Sequence, residues 1–165
     1  MTKKVGIYAG TFDPVTYGHI DIIRRSLKIV KKLIVAVSEV GNKEYMFSAE
    51  ERISIIKNSL FRDLKFSPRN IQVLSFNTLT TSLCKKYEAK TLFRGLRATS
   101  DFEYEFQLAG MNRKLDMGIE TVFLMADVDK QIISSKFVKE VAILSGNVDS
   151  FVTRSVARAI KNKIW

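Results

Sequence analysis

At 165 residues the chain has the size of one domain, 1–165, able to bury about two-thirds of its extended surface around one core. Hydrophobic residues at 46% and charged residues at 27% exclude a disordered or low-complexity chain, and a single cysteine, Cys84, excludes an intrachain disulfide or a cysteine-rich zinc site. The net charge of +10 favours anionic partners, whether nucleic acid, a membrane surface or phosphorylated small molecules, without choosing among them.

The elements follow in chain order. "KVGIYAG" at 4–10 reads as a strand that ends before a turn, and its apolar run is too short for a signal peptide or a membrane span. A cytoplasmic protein is the expectation. Ile20, Ile23, Leu27 and Val30 then keep a helical period. "LIVAVSE" at 33–39 is the second strand, and Ser48 with Glu51 forms a capping box that opens a helix over 49–61. Strands at 71–76, 91–95 and 121–126 alternate with helices at 80–87 and 101–115. Ser134 or Ser135 caps a further helix holding Phe137, Val138 and Val141, and Val156 and Ile160 share one face of a C-terminal basic helix. Five strands with intervening helices predict an α/β, Rossmann-like fold, with a parallel sheet covered on both faces. Ligands of such sheets bind beyond the carboxyl ends of the strands, where strand order switches.

The residues just after the strands therefore carry the chemical argument. After strand 1 the chain passes Gly10 and Thr11 and turns through Asp13-Pro14, where Asp13 reads as a turn former rather than a metal ligand. Thr16 is the expected N-cap of the next helix, which places His19, the only histidine, in its first turn. Exposed N–H groups and the positive helix end make that turn an anion site, and the same field lowers the histidine pKa. Neither a Walker loop nor G-x-G-x-x-G occurs, so phosphate binding uses neither of those loops. Arg94 and Arg97 flank Gly95 and Leu96 at the end of strand 4, where two guanidinium forks converge on phosphates and Gly95 lets backbone approach a ligand. "IISSK" at 132–136 offers hydroxyls and free N–H groups at another helix start. Lys43, in the loop after strand 2, is a solvated lysine on position alone, and Glu105 a surface or ion-pair residue.

"YAGTFDPVTYGHIDI" resembles the first motif of the nucleotidylyltransferase superfamily, usually G-x-F-D-P-x-H-x-G-H, with Thr16 at the first histidine position. That T-x-G-H form, together with "KEYMFSAEERI", "LFRGLRATSDFEYEFQLAGMNRKL" and "VFLMADVDKQIISSKFVKEVA" in order, is similar to the phosphopantetheine adenylyltransferase family over essentially the whole chain. The resemblance implies transfer of AMP from ATP to 4'-phosphopantetheine, with Mg²⁺ carried mainly on the ATP phosphates and no dedicated protein ligands for it. It further implies a homohexamer built as a dimer of trimers, with no nucleic-acid or membrane partner.

By the same resemblance Thr11 contacts both substrates, Phe12 contacts ATP through its backbone, and His19 stabilises the α-phosphate in the transition state. Lys43 and Arg94 bind phosphopantetheine and complete the catalytic set, and Thr80 falls at a pantetheine contact that is normally apolar. Gly95, Leu96, Arg97 and Glu105 match ATP contacts, as does the segment Lys130, Gln131, Ile132, Ile133, Ser134, Ser135 and Lys136. Two departures stand out there. Lys136 replaces a third hydroxyl, and "KQI" at 130–132 replaces an aromatic-Ser-aromatic run. The competing readings are a related enzyme that adenylylates nicotinate mononucleotide, and a basic RNA-binding module supported by charge alone.

Overall fold

The computed structural model describes residues 4–40, 44–97 and 99–164. Its five strands are β1 (Val5–Gly10), β2 (Lys32–Ser38), β3 (Ile71–Phe76), β4 (Thr91–Leu96) and β5 (Glu120–Met125). They form one parallel sheet in the order β3-β2-β1-β4-β5. Each lies within one residue of its expected limits. The reason is the burial pattern: β1 and β2 are covered on both faces, so they read as continuous apolar runs rather than alternating ones.

Among the described residues four α-helices connect the strands, α1 (Tyr17–Ser26), α2 (Ala49–Lys57), α3 (Thr80–Lys86) and α4 (Thr99–Leu115), and two follow β5, α5 (Ser135–Ile143) and α6 (Arg154–Ile164). The capping box before α2 is present, with Ser48 N–H donating to Glu51 Oε2 at 2.7 Å and Glu51 N–H to Ser48 Oγ at 3.2 Å. The expected helix over 49–61 departs from α geometry at its end and widens into a π-helical segment, Asn58–Asp63. Tertiary contacts account for the widening. Asp63 caps α6 by accepting from Ser155 N–H and Oγ at 2.8 and 2.9 Å, and Thr153 Oγ1 donates to the buried Ser59 hydroxyl at 2.9 Å.

Side chains alternate between the two faces of the sheet. Tyr8, Leu33, Val35, Val37 and Phe93 join one core with Ile20, Ile22, Ile23, Ile55, Ile56, Leu60, Val138, Val156 and Ile160, drawn from α1, α2, α5, α6 and the π-helical segment. Ile7, Ala9, Ile34, Ala36 and Leu92 join a smaller core with Leu83 and Cys84 of α3. The chain travels from β1 to β2 to β3 and then crosses to β4 on the other side of β1, so strand order switches between β1 and β4.

Candidate active site

The end of β1 bends sharply because Phe12 adopts φ 49° and buries its ring, 1% exposed, beneath the turn. A left-handed bulky residue costs about 1–3 kcal/mol and persists only where packing dictates it. Here the ring packs edge-on against Tyr8 and His19 at 5.2 and 5.1 Å between centroids. Gly10 fits the same packing closely, since a Cβ there would stand 3.1 Å from the Phe12 ring. The consequence is that Phe12 offers the cleft its backbone and not its side chain. Asp13 does more than shape the turn: it is buried, its carboxylate accepts from Met46 and Phe47 N–H at 2.9 and 3.0 Å, and Lys139 Nζ of α5 donates to it at 2.8 Å.

Thr16 is the N-cap of α1 and His19 occupies the third helical position. Thr16 N–H donates to His19 Nδ1 at 3.0 Å, and the Thr16 hydroxyl lies 3.0 Å from the same nitrogen. A backbone N–H can only donate, so Nδ1 is an acceptor and the neutral ring carries its proton on Nε2. Burial lowers the His19 pKa from 6.5 to about 4, with the Arg97 and Arg94 charges adding in the same direction. The direction matches expectation, with desolvation the first cause and the two arginine charges next.

Arg94 is held by α4. Its Nε donates to Glu105 Oε2 at 2.8 Å, its NH2 pairs with Oε1 at 2.5 Å, and its NH1 donates to the Ala9 carbonyl at 2.6 Å. Glu105, expected as a nucleotide contact, thus spends both oxygens on Arg94. Arg97 pairs with Asp101 in the same way, one helical turn earlier, with Nε at 3.1 Å and NH2 at 3.3 Å. Spacing of four residues on α4 lets two carboxylates serve two arginines three residues apart on β4 and its exit. Gly95 also packs closely, since a Cβ there would stand 3.1 Å from Ile22 of α1.

These groups line one cleft of about 810 Å³ over the β1/β4 switch. Thr11, Phe12, His19, Thr80, Arg94, Gly95, Arg97, Glu105, Ile133, Ser134, Ser135 and Lys136 all reach it. Leu96, Lys130, Gln131 and Ile132 are not part of its lining. The Leu96 side chain is buried, Lys130 pairs with Asp127 at 3.0 Å, Gln131 donates to the Ala126 carbonyl at 3.3 Å, and Ile132 is 77% exposed. Lys43 lies outside the described residues. Ser134 caps α5, accepting from Phe137 N–H at 3.1 Å, while Ser135 Oγ donates to the Pro14 carbonyl at 2.7 Å and joins α5 to the β1 turn.

The cleft has two ends of different chemistry. Arg97, Ser134, Ser135 and Lys136 line the β4/α5 end, whereas Ser38, Val40, Tyr45, Phe76 and Thr80 line the β2/β3 end with a mix of apolar, aromatic and hydroxyl side chains. Sequence reasoning missed Val40, Tyr45 and Phe76, although Phe76 closes β3 and Val40 follows β2, and strand ends were the places to look. It also missed Tyr104 and Leu108, which share with Glu105 the cleft-facing side of α4.

The cytidylyltransferase-like family model matches residues 7–141. A phosphopantetheine adenylyltransferase of Pelagibacter ubique is 57% identical over 161 residues, covering 98% of this chain and 98% of that protein. One of Sphingopyxis alaskensis is 47% identical over 161 residues, covering 98% of this chain and 94% of its own. Among solved structures, a Vibrio parahaemolyticus protein assigned as a nicotinate-nucleotide adenylyltransferase superposes with a TM-score of 0.70 at 17% identity, over 96% of this chain and 99% of its own. A bifunctional NMN adenylyltransferase/ADP ribose pyrophosphatase of Francisella tularensis gives 0.71 at 12% identity, over 98% of this chain and 49% of its own. These two likenesses concern the fold.

Proposed function

This chain belongs to the phosphopantetheine adenylyltransferase family, and from that membership we propose that it transfers AMP from ATP to 4'-phosphopantetheine, releasing pyrophosphate and dephospho-coenzyme A. The observation that carries the reading is the convergence of Thr11, His19, Arg94 and Arg97 on one cleft at the β1/β4 switch. The acceptor phosphate oxygen attacks the α-phosphorus in line, and the bond from that phosphorus to the pyrophosphate oxygen breaks. A phosphomonoester has its second pKa at about 6, so the nucleophile is already ionised and needs no general base. That suits a histidine held neutral: with Nδ1 occupied by Thr16, Nε2–H is a donor for charge developing on the α-phosphate.

In this reading Thr11 bridges the two substrates and Arg94 holds the acceptor phosphate, assisted by Lys43. Arg97, with Ser134, Ser135 and Lys136 at the start of α5, takes the triphosphate, and the β2/β3 end, with Val40, Tyr45 and Phe76, receives the pantetheine arm. Lys136 is 80% exposed in its side chain and stands 4.0 Å from Glu140, so its ammonium can turn to phosphate at little cost. The carboxylates nearest the cleft, Asp13, Asp101 and Glu105, are each paired with a cation, and no cluster of three metal-ligating side chains occurs among the described residues. In this reading Mg²⁺ is carried on the ATP phosphates.

The whole chain, 1–165, acts as one nucleotidylyltransferase domain in the cytoplasm, as a homohexamer. No helix among the described residues is long and apolar enough to cross a membrane, and α4 leaves Phe102, Phe106, Met111 and Leu115 outward in the single chain, surface that suits assembly. The nicotinate mononucleotide alternative has only the distant fold likeness in its favour, and oligonucleotide binding has only the net charge.

The test is turnover followed by mass spectrometry, with ATP, Mg²⁺ and either 4'-phosphopantetheine or nicotinate mononucleotide. Dephospho-coenzyme A from the first alone is the expected result, and adenylylation of the second would replace the substrate. His19→Ala should lose about 10²–10³ in kcat while ATP binding by calorimetry persists. A near-normal rate would remove His19 from the transfer step.

A further inference from the structure

Arg52, on α2, is 2% exposed. Its NH1 donates to the Thr11 carbonyl at 2.8 Å and the Ser38 carbonyl at 2.9 Å, and its Nε is shared between the Phe47 and Ser48 carbonyls at 3.2 and 3.3 Å. Among the described residues no carboxylate lies within 4.0 Å of it; the Tyr45 ring, 4.3 Å from its Cζ, covers the guanidinium instead. A buried guanidinium satisfied almost entirely by main-chain oxygens is rare, because its desolvation is usually offset by an acid.

Its location explains it. The β1/β2 ladder ends at the pair Gly10–Val37, and the next residues are Thr11, just past β1, and Ser38, the last of β2. NH1 spans those two carbonyls where the ladder stops. It therefore fixes the distance between the strand ends while β1 turns away through the left-handed Phe12. We propose that Arg52 is a positioning residue for AMP transfer, which sets the orientation of Thr11 by holding its carbonyl and thereby aims the Thr11 hydroxyl and the neighbouring N–H groups at the acceptor phosphate. The inference deepens the proposed function and rests on it for the identity of that phosphate.

Arg52→Lys, Arg52→Gln and Arg52→Met separate geometry from charge. With 4'-phosphopantetheine varied at saturating ATP, Arg52→Met and Arg52→Gln should lower kcat at least tenfold and raise the acceptor KM several-fold. Arg52→Lys, which keeps a donor within reach of one carbonyl, should recover most of the loss. Because Thr11 touches both substrates, the ATP Kd should rise too, but by clearly less than the acceptor KM. Equal weakening of ATP and acceptor, in step with lost thermal stability, would make Arg52 a structural residue only, and Arg52→Met kinetics within threefold of wild type would end the proposal.

Backbone amide resonances supply an arm independent of turnover and of the fate of Arg52→Met. In Arg52→Lys, the signals of Thr11, Phe12 and Ser38 should shift while those of Ser134 and Ser135 stay in place. If wild type fails to adenylylate 4'-phosphopantetheine, the proposed function falls, and unchanged Thr11 and Ser38 signals would then overturn the Arg52 inference separately.

Discussion

The two faces of the sheet are held by different forces. On one, Ile20, Ile22, Ile23, Ile55, Ile56, Leu60, Val138, Val156 and Ile160 interlock with β1, β2 and β4, so that α1, α2, α5 and α6 are fixed by apolar burial. On the other, the core residues of β1 and β2 include Ala9 and Ala36, and α4 contributes no buried apolar side chain. Among its described side chains only Glu105 and Asn112 are buried, while Phe102, Phe106, Met111 and Leu115 face outward. A helix that turns its polar residues inward and its aromatic residues outward is docked by charge in the single chain. The contrast has a functional sense: the T-x-G-H turn sits on the apolar-locked side, whereas the helix that holds both site arginines keeps apolar surface for other contacts.

The apolar side should therefore be the costlier to disturb. Ile56 is fully buried in the larger core, and Ile56→Ala should lose about 2–5 kcal/mol of unfolding free energy by denaturant titration. A loss below 1 kcal/mol would mean that this face is not the stabilising one. Glu105→Gln addresses the other side. It keeps the shape but turns an amide N–H₂ toward the Arg94 donors, and it should cost about 2 kcal/mol, less than a fully buried pair because Arg94 is 20% exposed in its side chain. Amide exchange should quicken along α4 and not along α1. Uniform quickening, or none, would show that charge is not what docks α4.

The fold was legible because buried parallel strands write themselves as apolar runs, and "LIVAVSE" and "IQVLSF" lie within a residue of β2 and β3. The site was legible where a residue sits in local sequence next to its task, as Thr16 and His19 do across one helical turn. It was not legible where the partner comes from afar. Arg52 meets Thr11 across 41 residues and Lys139 meets Asp13 across 126, so nothing in "EERIS" or "FVKEV" marks them apart from helical surface charges. Resemblance named Glu105 as a nucleotide contact, yet its bidentate grip on Arg94 depends on how α4 lies over β4, which no spacing encodes.

The smallest expected change in monomer stability belongs to the outward face of α4. Phe106 is 64% exposed and stacks at 5.8 Å between centroids with Phe102, so Phe106→Asp removes little buried area and should shift the unfolding free energy of the isolated chain by no more than about 0.5 kcal/mol. Its effect should appear in assembly instead. A carboxylate in the middle of an apolar contact is left without a partner when that contact forms, and the desolvation cost recurs at every copy of the interface. Sedimentation of the wild type should give the mass of six chains, and Phe106→Asp should release smaller species at the same concentration. If the wild type sediments as one chain, the outward aromatic residues do not serve self-assembly, and charge docking of α4 would have to suffice for the working enzyme.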